Sequence, residues 1–136
     1  DGAASNNRLD LFQEMRLAAL LAKASSGRAD ALPAAKALTA ATLAGARALG
    51  LEKRIGSLLP GKEADFCAVR LDYPELLPCY DPISHLVYTA GREHVTHVWV
   101  EGQPLVENGR IISEEDHNLY SRVRLWQNKL VLETKS

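Results

Sequence analysis

The sequence predicts an α/β chain in which two helices come first, a group of short strands follows, and one helix comes last. Apolar residues recur at helical spacing over residues 8–24 and 33–49. Over residues 65–112 the chain instead breaks into short apolar runs that glycine, proline and asparagine separate. Helical spacing returns within residues 113–136. These changes of period indicate a helical part, a β part and a terminal helix.

The first helix is expected over residues 8–24. Asn6 or Asn7 can cap its N-terminus, while Asp10 and Glu14 place negative charge in the early turns, where the helix dipole favours it. A Ser-Ser-Gly sequence follows and ends the helix. Its apolar side chains form a broad arc, which is typical of a helix that packs against a larger body: Leu11, Phe12, Met15, Ala18, Ala19 and Ala22.

The second helix is expected to begin near Pro33, a residue suited to the first turn, and to run to about Leu49. Eight alanines give it high helix propensity and let a neighbouring element approach closely. Gly50 suits a left-handed C-terminal cap.

Four short strands are expected in the β part. The first, Phe66–Leu71, begins with a wholly apolar run that indicates a strand buried on both faces. Val95–Val100 is the second, and a Glu-Gly turn leads from it to Leu105–Val106. Asn108–Gly109 has the sequence of a hairpin turn and precedes the last strand at Arg110–Ile112.

The last helix opens with Ser113 as its expected cap, and Asp116 stands where a capping box prefers Glu or Gln. Four apolar residues then fall on one face, and we interpret them as a packing surface: Leu119, Val123, Trp126 and Leu130.

Composition argues against two classes of partner. The chain has 16 basic and 17 acidic residues, with a net charge of −1. The sequence lacks the basic stripe that is typical of a nucleic-acid-binding protein. No apolar run approaches the roughly 18 residues of a membrane span. Cys67 and Cys79 are expected to be free buried thiols, which is consistent with a cytoplasmic protein.

Two segments carry a resemblance to a known family. Residues 55–69 read IGSLLPGKEADFCAV, and the chain begins with DGAASNN. Together they resemble the amidohydrolase superfamily. The similarity is greatest to its deaminase branch, whose substrates are S-adenosylhomocysteine, 5'-methylthioadenosine and related compounds.

The resemblance implies an architecture. Residues 1–54 would be the end of a (β/α)8 barrel, with the final βα loop and its helices. Residues 55–112 would be part of a small β-sandwich built from both ends of the parent chain, and residues 113–136 would be a C-terminal helix. A complete barrel needs about 250 residues, whereas this chain has 136. We therefore expect an α/β fragment from the C-terminal third of an enzyme. A natural small domain is the alternative.

Asp1 is the residue to which the resemblance assigns chemistry. In the family, the Asp of this loop binds the catalytic metal and moves protons between the metal-bound water and the substrate. Ser5, Asn6 and Asn7 lie on the same loop, where they either contact substrate or cap the following helix. The chemistry is consistent with the residue type, because a carboxylate both binds a divalent metal and accepts a proton.

The remaining metal ligands and the general-acid Glu of the family lie upstream of this sequence. His94 and His97 do not replace them, since two residues three apart on a strand point to opposite faces. His85, in a short helix expected over Ser84–Thr89, and His117 are assigned no catalytic role. The resemblance thus implies a divalent metal, zinc, in the parent, whereas the fragment alone should bind no metal tightly and be inactive.

Two functional hypotheses follow. In the first, the parent enzyme deaminates an amino-heterocycle such as an adenosine derivative, and its partners are the missing N-terminal part and a small-molecule substrate. Related chlorohydrolases share the same C-terminal pattern. In the second, the chain is a non-catalytic α+β module for assembly or binding. On the fragment interpretation we expect a homo-oligomer, because helix faces at Leu11, Phe12 and Met15 and strand edges near Phe66 and Val98 would be uncovered.

Overall fold

A computed structural model describes residue 5, residues 7–112 and residues 118–133. Five α-helices and a four-stranded sheet make up this part of the chain, together with short 3₁₀ turns at Pro74–Leu76 and Arg92–His94. The helices are α1 (Leu11–Ser26), α2 (Ala34–Thr39), α3 (Gly45–Ala48), α4 (Pro82–Tyr88) and α5 (Leu119–Glu133). The strands are β1 (Phe66–Val69), β2 (Val95–Val100), β3 (Gln103–Glu107) and β4 (Arg110–Ile111).

Helix α1 begins at Leu11, three residues later than predicted, because Asp10 is its cap. Asp10 has extended backbone angles, and its side chain accepts a hydrogen bond from the backbone N–H of Gln13 at 3.2 Å. The prediction that Asn6 or Asn7 caps this helix is therefore wrong. At the other end Gly27 adopts the left-handed conformation (φ 66°), so the glycine terminates the helix as expected.

The predicted second helix forms in three connected pieces. A π-helical segment over Ala40–Ala44 separates α2 from α3. On either side of its start, the Thr39 and Thr42 hydroxyls bond the carbonyls four residues earlier, each at 2.7 Å. Such back-bonding offers the helix an alternative hydrogen-bond pattern and often bends it. Gly50 has φ 69° and ends the helical stretch, as predicted.

Helices α1, α2 and α4 enclose a small apolar core formed by Met15, Ala19, Ala37 and Val87. Lys23 stabilises its rim, since its ammonium nitrogen lies 2.9 Å from both the Ala31 carbonyl and the Tyr88 hydroxyl. These contacts join α1 to the following loop and to α4.

The sheet is an antiparallel meander in the order β1-β2-β3-β4. Positive φ angles at Glu101–Gly102 (50° and 76°) and Asn108–Gly109 (50° and 73°) form the two tight turns. Both turns were predicted, and both predictions are confirmed. Because β2 lies between β1 and β3, the expectation of an open edge near Val98 is wrong, whereas Phe66 does lie on an outer strand.

Two predicted packing surfaces are exposed. Strand β1 is not buried on both faces, because Phe66 is 38% exposed and Cys67 is also exposed. Cys79 is half-buried, and both thiols are free. The apolar face of α5 is also uncovered, with Trp126 63% exposed and Leu130 58% exposed. The expected caps Ser113 and Asp116 and the residue His117 lie outside the described residues.

Across the described ranges, no helix combines the length and apolar character that crossing a membrane requires.

Candidate functional site

The loop before α1 holds the predicted site residues, and the structure describes its second half. Asp1 and Asn6 lie outside the described residues. Ser5 and Asn7 are exposed. Asn7 and Leu9 have positive φ angles of 62° and 52°, a conformation that residues with a side chain rarely adopt. The backbone thus reaches α1 along a constrained path.

A buried carboxylate holds the end of this loop. Asp10 is only 5% exposed and lies between two guanidinium groups. Its Oδ2 is 3.5 Å from Arg8 Nε and 3.9 Å from Arg92 Nε. Arg92 also donates a hydrogen bond to the Arg8 carbonyl at 3.0 Å. We call this group the Asp10 cluster: Asp10, Arg8 and Arg92.

Sequence reasoning missed the Asp10 cluster. It treated Asp10 as a charge near the helix dipole and gave Arg92 no role. Arg92 lies far along the chain, in the 3₁₀ turn before β2. No periodicity or spacing relates two such distant residues, so the fold was needed to find the pair.

A second concave feature lies between the helical part and the sheet. It is a largely apolar cavity of about 600 Å³, and its wall includes Ala46, Ser57, Phe66 and Trp99. The Ser57 hydroxyl is buried there without a hydrogen-bond partner among the described residues. Buried polar atoms are normally paired. The Ser57 hydroxyl therefore indicates a point in the cavity wall where the described residues supply no hydrogen-bond partner.

Gly56 makes the junction beside this cavity possible. Its φ is 84°, and a Cβ atom at this position would lie 2.7 Å from the Ala46 Cβ and 3.1 Å from the Leu43 Cα. Only glycine permits this backbone conformation and this approach to the helix together. The segment that the sequence singled out therefore packs directly on the helical part.

His94 and His97 occupy structural positions. His94 is buried in a 3₁₀ turn, where its Nδ1 accepts a hydrogen bond from the Gly91 N–H at 2.9 Å and its Nε2 lies 3.6 Å from Glu75 Oε1. His97 is on β2 and stacks on Trp99 with ring centroids 5.4 Å apart. The premise that both histidines lie on one strand is wrong, since β2 begins only at Val95.

The described residues do not form a metal site of their own. Among them no group of three or more His, Cys, Asp or Glu side chains lies close enough to bind a metal ion. This part of the chain therefore does not fit a complete catalytic zinc centre, which takes three protein ligands and a water molecule.

Residues 1–105 match the model of the Amidohydrolase family. The chain belongs to this family. The predicted resemblance is confirmed.

Comparison with individual proteins agrees with the family match. The chain is 42% identical over 130 residues to a 5-methylthioadenosine/S-adenosylhomocysteine deaminase from Teredinibacter turnerae, covering 96% of this chain and 29% of that protein. It is similar to the crystal structure of an adenosine deaminase from Xanthomonas campestris with bound zinc, at a TM-score of 0.92 and 46% identity. That match covers 97% of this chain and 30% of the deaminase.

A zinc-containing atrazine chlorohydrolase from Arthrobacter aurescens is also similar, at a TM-score of 0.76 and 29% identity. That match covers 84% of this chain and 25% of the chlorohydrolase. The chain thus spans about 30% of the length of the relatives that it matches.

Proposed function

We propose that this chain is the C-terminal part of a metal-dependent amidohydrolase that deaminates an adenosine derivative by C–N hydrolysis. One observation carries the proposal. Identity of 42–46% to proteins named as deaminases of 5-methylthioadenosine, S-adenosylhomocysteine or adenosine extends over at least 96% of the chain.

The comparison with the chlorohydrolase favours a deaminase over the alternative hydrolase. Identity falls from 46% to 29% and the TM-score from 0.92 to 0.76 between the two solved structures. Both of these proteins contain zinc, which supports zinc as the metal of the parent enzyme.

Asp1 is our proposed catalytic residue and metal ligand. A carboxylate at this position would provide one ligand and accept a proton, while the other ligands come from the part of the parent outside this sequence. Ser5, Asn6 and Asn7 are proposed to face the substrate from the same loop. The capping role that competed with this assignment belongs to Asp10 instead.

We also propose how the chain is divided among the domains of the parent enzyme. Residues 1–54 would belong to the barrel, residues 55–112 to the sandwich, and residues 113–136 would form the terminal helix. The free edge of β1 and the cavity lined by Ser57 support it. An extended segment from the missing N-terminal part would supply backbone partners for β1 and a partner for the Ser57 hydroxyl.

We also propose a cytoplasmic location, from the free thiols, and a homo-oligomeric state, from the exposed apolar surfaces.

The test compares Asp1→Ala with wild type in the intact parent, with ammonia release from 5'-methylthioadenosine as the assay. Loss of a general base is worth about 10²–10⁴-fold, so turnover should fall by at least that factor while the protein stays folded. Asp30→Ala is the matched control, because Asp30 is exposed and forms an ion pair with Arg28 just beyond the C-terminal end of α1, whereas the loop precedes the N-terminal end of that helix.

Near-normal turnover in Asp1→Ala would contradict the assignment of this residue. The 136-residue chain alone should release no ammonia. If the intact parent also releases none from adenosine derivatives, the non-catalytic module becomes the better hypothesis.

A further inference from the structure

The Asp10 cluster joins two parts of the chain that the sequence separates. Asp10 belongs to the start of α1, whereas Arg92 belongs to the turn between α4 and β2. The guanidinium of Arg92 contacts two acceptors at once, the Asp10 carboxylate at 3.9 Å and the Arg8 carbonyl at 3.0 Å. The β part therefore holds the end of the loop that follows Asp1.

The Arg8 carbonyl, which accepts the hydrogen bond from Arg92, lies where the loop backbone is conformationally constrained. Arg8 stands between Asn7 and Leu9, the two residues with positive φ angles. Non-glycine residues in this conformation cost free energy and persist only where their surroundings enforce it. Leu9 is 72% exposed, so packing of its own side chain does not enforce it.

The carboxylate completes the arrangement. Asp10 Oδ1 accepts the Gln13 N–H and fixes the first turn of α1, while Oδ2 faces both guanidinium groups. Burial makes such a carboxylate costly unless it is paired. Arg92 thus provides charge to Asp10 and a donor to the loop backbone from one planar group, which a lysine does not reproduce.

We propose that Arg92 is a positioning residue for the loop that carries Asp1. It fixes the Arg8 carbonyl relative to the Asp10 carboxylate and so holds the backbone of residues 7–9, through which Asp1 is joined to α1. This rests on the proposed function, in that Asp1 is the metal-binding carboxylate of the parent. On this proposal Arg92 acts through the backbone of residues 7–9, by its contacts with Arg8 and Asp10.

The experiment uses the intact parent with Arg92→Ala and Arg92→Lys. The control is Arg70→Ala, because Arg70 has a similarly exposed side chain (55% against 58%) and a carboxylate partner, Asp72, but no contact with the loop in the described structure. Three quantities are measured: kcat and KM for 5'-methylthioadenosine, the visible absorption spectrum of the cobalt-substituted protein, and the unfolding midpoint. The spectrum reports ligand geometry at the metal independently of turnover.

Arg92→Ala should lower kcat about 10- to 100-fold, the effect of displacing a catalytic group by about 1 Å, with little change in KM. Its cobalt spectrum should shift. Arg92→Lys should show a smaller loss, because one ammonium does not replace the planar fork. Arg70→Ala should retain both kcat and spectrum.

A folded Arg92→Ala with wild-type kcat and spectrum would overturn the proposal, as would an equal loss in Arg70→Ala. If Arg92→Ala does not fold, Arg92→Lys decides, and wild-type kcat in that variant overturns the proposal. Asp1→Ala, assayed alongside, distinguishes failure of the positioning role of Arg92 from failure of the proposal on which that role rests. Loss of turnover in Asp1→Ala but not in the Arg92 variants rejects only the positioning role. Normal turnover in Asp1→Ala rejects the catalytic assignment of Asp1 on which that role rests, whereas absence of ammonia release by the wild-type parent rejects the proposed function.

Discussion

Gly56 offers a direct test of how the junction between helices and sheet is held together. A methyl group at this position meets two separate penalties. With φ at 84°, alanine would occupy the left-handed region, at a cost of about 1–2 kcal/mol. The new Cβ would also lie 2.7 Å from the Ala46 Cβ and 3.3 Å from the Thr42 carbonyl oxygen. Relieving such an overlap costs about 1–3 kcal/mol. Gly56→Ala should therefore lower the free energy of unfolding by about 2–5 kcal/mol.

Gly61→Ala is the matched control. Gly61 has nearly the same backbone angle, φ 86°, but no atom lies within 4 Å of the position that its Cβ would take. Both substitutions share the conformational penalty and the reduced entropy of the unfolded chain. The difference between them isolates the contact with the helix, and it should be about 1–3 kcal/mol.

Urea denaturation followed by far-ultraviolet circular dichroism measures both variants at one protein concentration. Gly56→Ala should unfold at a clearly lower urea concentration than Gly61→Ala, with a similar slope. Equal losses in the two variants would refute the reasoning, because they would show that the approach of Gly56 to Ala46 carries no energetic weight.

Two further predictions concern the exposed surfaces. Although Cys67 is exposed as a whole residue, partial desolvation of its thiol in the cavity wall raises the thiol pKa, so less thiolate is present at neutral pH. In a Cys79→Ser variant, iodoacetamide alkylation followed by mass spectrometry should accelerate about tenfold per pH unit beyond the ordinary thiol pKa, and a plateau below that pKa would contradict this. The 136-residue chain should form a dimer or larger species at concentrations on the order of tens of micromolar, because Trp126 and Leu130 are exposed; light scattering that shows a compact monomer without binding of a hydrophobic dye would count against it.

Local signals predicted the sheet well. Strand β2 has the predicted bounds, Val95–Val100, because a run of β-branched and aromatic residues ends at a Glu-Gly turn. The Asn108–Gly109 turn was also predicted correctly, since these two residue types tolerate positive φ. Information of this kind lies within a few residues of the feature that it predicts.

Features that depend on distant residues were missed. Three residues able to cap α1 lie within five positions, and the choice of Asp10 over Asn7 depends on burial between Arg8 and Arg92. The apolar sequence of β1 indicated burial on both faces, but exposure of Phe66 follows from its place at the outer edge of the sheet. Periodicity likewise predicted an apolar face on α5 without showing what that face contacts.

The two tight turns of the meander imply an order in which the sheet assembles. Strands β2, β3 and β4 follow one another through two-residue connections, so each pairing closes only a short loop. Hairpins of this kind form within about 1–10 μs. Strand β1 pairs across a much longer loop, and Ala68 and Thr96, which share a hydrogen bond, are 28 residues apart. Because closing a longer loop costs more entropy, we expect β2–β4 to form the nucleus and β1 to join afterwards. The strand that borders the open cavity is then the last to be recruited, and its outer edge stays available while the rest of the sheet is already complete.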